Sequence, residues 1–403
     1  MAERQVDIIV VGAGMVGAAC ALQLQQRFAG KQIALVAPEP VQVSAPEPFD
    51  PRVVALTERS RSLLADLGVW QTLADTRVCP YRRMDVWDGE GAGSIQFDSA
   101  ELGRDTLGHI VENRLIVQEL LQRIAHSEIE PVAASVKSLV FAPQAVAGVV
   151  LDNGDTLKAP LTIAADGARS SLRDMAGLAV REWSYGQSAI VTTVKMQRSH
   201  QFTARQRFTA QGPLAFLPLR ESAQDTAPKH CSIVWSAEQA LADELMALDD
   251  KAFAARLGEA FEHRLGQVES VAKRFALPLV QRHARQYVCP GLALVGDAAH
   301  SIHPLAGQGV NLGLLDVAAL TQELVRAAER DLGLCEYASL RRYERSRMGH
   351  NLSMMAAMES FKRLYGSRDL SVLHLRNRGM DAVNRLTLLK NTLAEQAMGL
   401  SLS

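Results

Sequence analysis

The chain is poor in several residue types that mark particular protein classes. Its 403 residues include 5 cysteines, 15 prolines and 4 tryptophans, and aromatic residues make up 5%. Charge of one sign is also lacking: 43 Lys+Arg stand against 44 Asp+Glu, for a formal net charge of −1. A neutral balance argues against nucleic acid as the main partner, because polyanion binding shows as a basic excess. Cys20, Cys79, Cys231, Cys289 and Cys335 are scattered and form no CxxC pair. They read as free, mostly buried thiols of a reducing compartment. No apolar run reaches the about 20 residues of a membrane span. The longest early run, residues 8–22, is broken by three glycines and preceded by Glu3 and Asp7, where a secretory leader would be basic. Walker A and Gly-x-Ser-x-Gly patterns are missing, so P-loop and serine-hydrolase readings have no handle. With 48% hydrophobic and 22% charged residues, the expectation is a globular cytoplasmic protein. The expectation includes no transmembrane segment, membrane contact that is peripheral at most, and two or three domains at about 150 residues each.

What is present is a series of glycine turns at strand ends. The β-branched run VDIIVV (6–11) precedes GAGMVG (12–17), a helical stretch closed by Gly30, and a second strand, IALVA (33–37). Strand, glycine turn, helix and strand in this order form a dinucleotide-binding context. Gly12 allows the tight turn, Gly14 the approach of a pyrophosphate, and Gly17 the close seating of helix on strand. The helix N-terminus then presents unpaired N–H groups and a positive dipole end to the phosphates. Glu39 stands two residues beyond the strand end, after Pro38. It is the candidate ribose partner, with a solvated loop carboxylate as the alternative.

Further along, 38–51 reads as a Pro-rich loop. Residues 59–75 read as a helix interrupted at Gly68, 84–99 as a β-hairpin, and 110–126 as a helix. Short strands are expected within 136–165, around a turn at 152–155, and again within 188–236. Residues 247–266 are expected to be helical, capped by Asp249 or Asp250. From about 313 the chain reads as mostly helical. Separation of the strand-rich stretches by α/β material predicts two interleaved domains.

Two later segments repeat the pattern of a strand ending in an acidic-glycine pair. TIAADGARSSLR (162–173) carries Asp166, Gly167, Ser170 and Arg173. LALVGDAAHSIHPLAGQGVNLGLLDVAAL (292–320) carries Gly296, Asp297, Pro304, Gly307, Gly309 and Gly313. Strand-end carboxylates can accept from sugar or ribitol hydroxyls, and glycines at a helix start expose N–H groups to an electron-rich carbonyl. His300 and His303 lie in the second segment. Orientation of the loop is the simpler role for His300, and metal binding has no carboxylate or thiolate at matching spacing.

Taken together, GxGxxG, ADGxxSxxR and GDAAHxxxPxxGQGxNxGxxD make the sequence resemble the group A flavoprotein monooxygenases of the para-hydroxybenzoate hydroxylase type. The strings PRVVALTERSRSLLADLGVW, PYRRMDVWD, LGHIVEN and LRRYERSR look most like the ubiquinone-biosynthesis hydroxylases. The resemblance implies an α/β fold: a Rossmann-like FAD-binding domain (1–75, 108–180 and 281–330), an interleaved β-sheet substrate domain (76–107 and 181–280) and a C-terminal helical region (331–403).

The same resemblance implies FAD as cofactor, NAD(P)H as reductant, and O₂ with a polyprenylated phenol or quinol as substrates, through a flavin C4a-hydroperoxide. Hydroxylation is expected at C5 of the ring, with C6 of a demethoxy-benzoquinol as the alternative. It implies that Gly12, Gly14 and Gly17 bind the pyrophosphate. Arg52 would reach the phosphate region, Asn113 the flavin side, Asp166 the pyrophosphate and Asp297 the ribitol. Pro304, Gly307, Gly309, Val310 and Asn311 would line the isoalloxazine. No acid–base residue is assigned. A quinone-biosynthesis complex is the implied protein partner. The Met354, Met355, Met358 and Phe361 face, flanked by basic residues, would meet lipid or a partner, or pack on the FAD domain. Open alternatives are another aromatic substrate, oxidation without oxygen insertion, and a non-catalytic scaffold subunit.

Overall fold

A computed structural model describes residues 2–38, 49–302, 308–367 and 369–386, with 390–392, 394, 395 and 398. Its first sheet has the strand order Val288–Cys289, Leu292–Leu294, Leu161–Ala164, Ile8–Val11, Ile33–Ala37, Glu130–Ala133. All neighbours are parallel except the first pair. Ile8–Val11 is buried at every residue, as a strand in a covered parallel sheet must be. Helix Met15–Arg27 packs against both Asn113–Ala125 and Gln308–Ala328 beside this sheet. The expected last strand of 136–165 is divided between two sheets. Thr156–Lys158 joins a four-stranded sheet with Ala145–Leu151, whereas Leu161–Ala164 enters the main one. The chain changes sheets at Ala159-Pro160, where proline supplies no N–H to a ladder.

A second, nine-stranded sheet has the principal order His300–Ser301, Phe275–Ala284, Val180–Met196, His230–Glu238, Gly212–Leu219, Thr203–Thr209, Arg83–Asp88, Ser94–Asp98. Segments far apart in sequence therefore share one sheet: Arg83–Asp88 runs parallel to Thr203–Phe208. Val180–Met196 is longer than the expected strand, because it continues through a register shift between Ser184 and Ser188. Trp87, Ile190, Leu214, Phe216, Ile233 and Trp235 point to one face. There they meet Phe253, Leu257 and Phe261 near helices Gln239–Ala247 and Asp250–Ala260, with Phe216 stacked on Phe261 at 3.5 Å between centroids. Asp249, not Asp250, caps the second of these helices by accepting from Ala252 N at 2.7 Å.

Alternation puts the cross-strand row Val191, Val234, Ala215, Gln206, Val86, Ile95 on the other face. Leu217, two residues from Ala215, packs there with Ala55 and Ile110 of the small sheet Val53–Leu56, Gly108–Glu112, Cys79–Tyr81. That face looks toward the small sheet at one end and the tail helix at the other.

Two expectations need correction. Residues 108–112 are a strand, and the helix begins only at Asn113. Backbone pairing of Gly108–Glu112 with two neighbours wins over the helical composition. Helix Gln239–Ala247 was not anticipated. Among the described residues, no helix is long and apolar enough to cross a membrane.

The tail includes helices Tyr337–Gly366 and Leu370–Arg385. The Met-rich end of the first packs on the second sheet, not on the first: Met358, Leu364 and Tyr365 join Phe208, Val86 and Ile95. Leu370–Arg385 lies along Ser94–Asp98, at the sheet edge. Asn377 Oδ1 accepts from Gly93 N, and Asn384 Oδ1 accepts from Gln96 N at 3.1 Å. Seven helical residues and three strand residues both advance about 10 Å, so two asparagines match two edge N–H groups. Gly91 and Gly93 leave the room: a Cβ there would fall 2.3 Å and 2.6 Å from the Asn377 amide.

Candidate cofactor site

The first turn shows which glycines the protein needs for its own packing. Gly12 has φ +106°, and a Cβ on it would lie 2.3 Å from Ala165 O. A Cβ on Gly17 would lie 1.8 Å from Gly12 O. Neither position has room for a side chain. Among the described residues, Gly14 has no atom beyond its chain neighbours within 4 Å of its ideal Cβ. Its lack of a side chain serves open space, as the approach of a ligand requires. Gly14 is also the N-cap of Met15–Arg27, and no side chain caps this end. The first N–H groups therefore face the opening together with the positive end of the dipole.

Asp166 stands just past strand Leu161–Ala164, next to that turn. Its Oδ2 accepts from Leu172 N at 3.2 Å and from the Ser171 hydroxyl at 3.3 Å. Its Oδ1 is buried and has no partner among the described residues. An orphaned carboxylate oxygen at a turn that faces a cleft is a place for a ligand donor. Ser170 caps the short helix after it through Arg173 N at 3.0 Å, and Arg173 donates to Ala298 O at 3.2 Å. That bond ties the Asp166 segment to the Asp297 segment. Arg173 was visible in the motif, but its joining role was not.

Gly296 has φ +59°, and its ideal Cβ would lie 3.1 Å from Val16; that of Gly313 would lie 2.8 Å from Val16. The first helix, the Gly296 turn and helix Gln308–Ala328 thus meet at one valine. Asp297 is exposed and has no hydrogen bond to the described residues. Crowding by surrounding protein pushes its carboxyl above the usual range, with Asp316 adding to this and His300 and Arg282 opposing it.

A third corner lies at Arg52 and Asn113. Asn113 N donates to Arg52 O at 2.9 Å, and Arg52 N to Asp50 Oδ1 at 2.9 Å. The Arg52 side chain is exposed, 3.9 Å from Asp50. Beneath it Glu112 is buried between Arg77 and Arg114. Burial raises the Glu112 carboxyl, and the bond from Asp50 N and the two arginines do not fully offset it. This buried cluster was not read from the sequence, since its members carry no motif spacing.

Of the remaining candidates, Gly309, Val310 and Asn311 lie in the first turn of Gln308–Ala328. Val310 packs on the core. The Asn311 side chain bridges backbone, donating to Ala55 O at 2.8 Å and accepting from Thr57 N at 3.0 Å. Glu39, His303, Pro304 and Gly307 lie outside the described residues. The open Gly14 turn, the orphaned Asp166 oxygen and the unpartnered Asp297 fit a dinucleotide cofactor with hydroxyl-bearing and phosphate parts.

Comparison with known proteins agrees. The FAD binding domain family matches residues 5–356. The chain is 39% identical over 402 residues to "3-demethoxyubiquinol 3-hydroxylase" of Escherichia coli (strain K12), covering 99% of this chain and 100% of that one. It is 33% identical over 432 residues to "Ubiquinone biosynthesis monooxygenase COQ6, mitochondrial" of Homo sapiens, covering 95% and 90%. Among solved structures, p-nitrophenol 4-monooxygenase PnpA from Pseudomonas putida DLL-E4 superposes with TM-score 0.77 at 18% identity, covering 99% of each chain. The flavin-dependent brominase Bmp2 does so with TM-score 0.75 at 13%, covering 99% of this chain and 94% of that one. At these identities the structures establish the fold. The chain is an FAD-dependent aromatic-ring hydroxylase of the para-hydroxybenzoate hydroxylase fold and belongs to the ubiquinone-biosynthesis hydroxylase family.

Proposed function

We propose that this enzyme hydroxylates the ring of a polyprenylated benzoquinol or phenol with O₂ in ubiquinone biosynthesis. The observation that carries the reading is that the turns bearing Gly14, Asp166 and Asp297 are neighbours, Gly12 lying against Ala165 and Asp166, Gly296 against Val16, and Arg173 on Ala298 O. Gly12, Gly14 and Gly17 with the first helix end take the pyrophosphate, Asp166 accepts near it, and Asp297 takes the ribitol hydroxyls. Arg52 reaches the phosphates from the loop, Asn113 stands on the flavin side, and Gly309, Val310 and Asn311 present backbone to the ring. We assign Pro304 and Gly307 to the same lining and Glu39 to the ribose.

FAD, when bound, supplies the activation of O₂. The chain binds, orients and excludes water. The second sheet, built from parts of 76–107 and 181–280, is read as the substrate platform. The row Val191, Val234 and Ala215 offers small apolar side chains to a ring and an isoprenoid tail, with Gln206 as a polar group beside them, while Val86 and Ile95 at the end of the row are covered by Met358, Leu364 and Tyr365. NAD(P)H is the proposed reductant. Peripheral membrane contact and membership of a quinone-biosynthesis complex follow from a lipid substrate. We assign the bilayer contact to exposed Leu375 and Leu386, flanked by Arg378 and Arg385.

Two ring positions compete. C5 rests on the quoted sequence strings. The 39% identity along the whole length of a 3-demethoxyubiquinol 3-hydroxylase favours the demethoxy-benzoquinol reading instead. Lipid analysis of a deletion strain decides: the accumulating precursor names the position. Incorporation of ¹⁸O from O₂ into product by the purified enzyme tests oxygen insertion. A strain that makes quinone normally with an Asp297→Ala variant overturns the enzymatic reading in favour of a scaffold.

A further inference from the structure

One stripe of helix Tyr337–Gly366 reaches beneath the cofactor half of the molecule. Tyr343, Glu344, Arg347 and Asn351 stand at i, i+1, i+4 and i+8 and are all buried. Tyr343 donates its hydroxyl to Leu294 O at 2.7 Å, and Glu344 accepts from Tyr287 N at 2.7 Å. Arg347 Nε donates to Asp316 Oδ1 at 2.7 Å. Its Nη2 donates to Asn351 at 2.9 Å and to Leu312 O at 3.4 Å.

The other oxygen of Asp316 faces the turn that carries Asp297. Oδ2 accepts from Gly296 N at 3.1 Å and pairs with His300 Nε2 at 2.6 Å. Gly296 and His300 bracket Asp297, so one carboxylate grips the turn on both sides of it. Asp316 is 0% exposed. Burial alone would raise its carboxyl, but His300 and Arg347 outweigh this and hold it below the usual range.

We propose that Arg347 is a positioning residue for the flavin: by holding Asp316, it fixes the Gly296–His300 turn and so the place of the Asp297 carboxylate. This rests on reading Asp297 as a cofactor ligand. Arg347 lies well beyond the three flavin motifs in sequence, in the YERSR segment, and reaches the third of them only at its helical end, through Leu312 O and Asp316. Without its guanidinium the buried carboxylate keeps Gly296 N, His300 Nε2 and the Asn351 amide as partners, and the grip on the turn loosens.

A merely structural pair behaves differently from a positioning one. Replacing a buried ion pair by apolar side chains of similar volume is often neutral for folding. It would nevertheless leave Gly296 N–H and His300 without their acceptor. The test uses the full-length enzyme in four variants, with FAD affinity read by flavin fluorescence and folding by urea midpoint after FAD removal. Asp297→Ala tests the underlying reading and must weaken FAD; if it does not, that reading fails and the proposal with it. Arg347→Met is expected to lower both affinity and midpoint. Asp316→Leu/Arg347→Met is expected to recover the midpoint while FAD affinity stays about ten- to a hundredfold below that of the parent, the range for an unsatisfied buried donor. His300→Leu gives the same answer should the double variant not fold: a clear loss of FAD affinity is expected. Where Asp297→Ala weakens FAD, parental affinity in the folded double variant, or in His300→Leu, overturns the proposal.

Discussion

Arg376 grips Asp88 across 288 residues of chain, with Nε 2.7 Å from Oδ2 and Nη2 2.9 Å from Oδ1. The side chains are 1% and 0% exposed. The remaining nitrogen, Nη1, donates to the carbonyls of Leu364, Tyr365 and Ser367, closing the end of the preceding helix. One guanidinium thus satisfies a sheet carboxylate and a helix C-terminus at once. Arg376→Met leaves Asp88 buried beside the amide of Asn377 without its cation. A destabilisation of about 3–5 kcal/mol is expected. Urea unfolding measures it, and a loss under 1 kcal/mol contradicts the account.

Gly14 and Gly17 should separate cofactor binding from folding. Gly17→Ala places a methyl where Gly12 O already stands, so the first helix must move and the fold loses stability. Gly14→Ala meets no atom of the described residues beyond its chain neighbours. Its urea midpoint after FAD removal should stay within the range of a surface substitution, about 0.5 kcal/mol. FAD affinity should fall in both variants. Equal loss of folding stability in the two would show that Gly14 serves the chain's own packing.

Stability should decline on mild acidification. His200 accepts from Phe202 N through Nδ1 at 3.1 Å, and its Nε2 lies 2.9 Å from Leu219 O. Both nitrogens are satisfied only with the proton on Nε2, an assignment inferred from these partners. Burial pushes its pKa down to about 4, against the opposing bond to Leu219 O. His109 and His283 are likewise pushed down to about 4, again by burial first. Between pH 6.5 and 4 the unfolded chain therefore binds more protons than the folded one. Folding stability is lost as pH falls through that window, by on the order of a few kcal/mol for a fully buried histidine. Urea midpoints at pH 7 and 5 check this, and His200→Asn should flatten the slope. A midpoint that rises on acidification would be the wrong sign.

Thiol reactivity should be sharply uneven. Cys20 and Cys231 are buried, and burial pushes each thiol up to about 12. Cys79 is buried too, and burial raises it further, while Cys335 is exposed. An aromatic disulfide reagent should titrate one thiol rapidly in the native protein and all five after denaturation. Loss of the rapid phase in Cys335→Ser confirms the assignment; rapid reaction of three or more native thiols refutes it.

The parts of the fold that were legible share a cause: they are local. Gly12 to Gly17, the strand runs and the Asp249 cap act within a few residues, so spacing reports them. The start of the helix at Asn113 was misplaced because pairing of 108–112 with Val53–Leu56 and Cys79–Tyr81 cannot be seen from their composition. The Arg347–Asp316 and Arg376–Asp88 pairs carry no periodic signal. Their partners lie 31 and 288 residues apart, and an arginine on a helix reads as a solvated one until its neighbours are known.

The asparagine pairing at the sheet edge also has a consequence in time. Gln96 leaves the ribosome 288 residues before the Asn384 that will satisfy its N–H. At 5–20 residues per second, that interval is about 15 to 60 s. Until it ends, Ser94–Asp98 is an open edge on a nascent chain, and helix Leu370–Arg385, made late in synthesis, is the one that closes it.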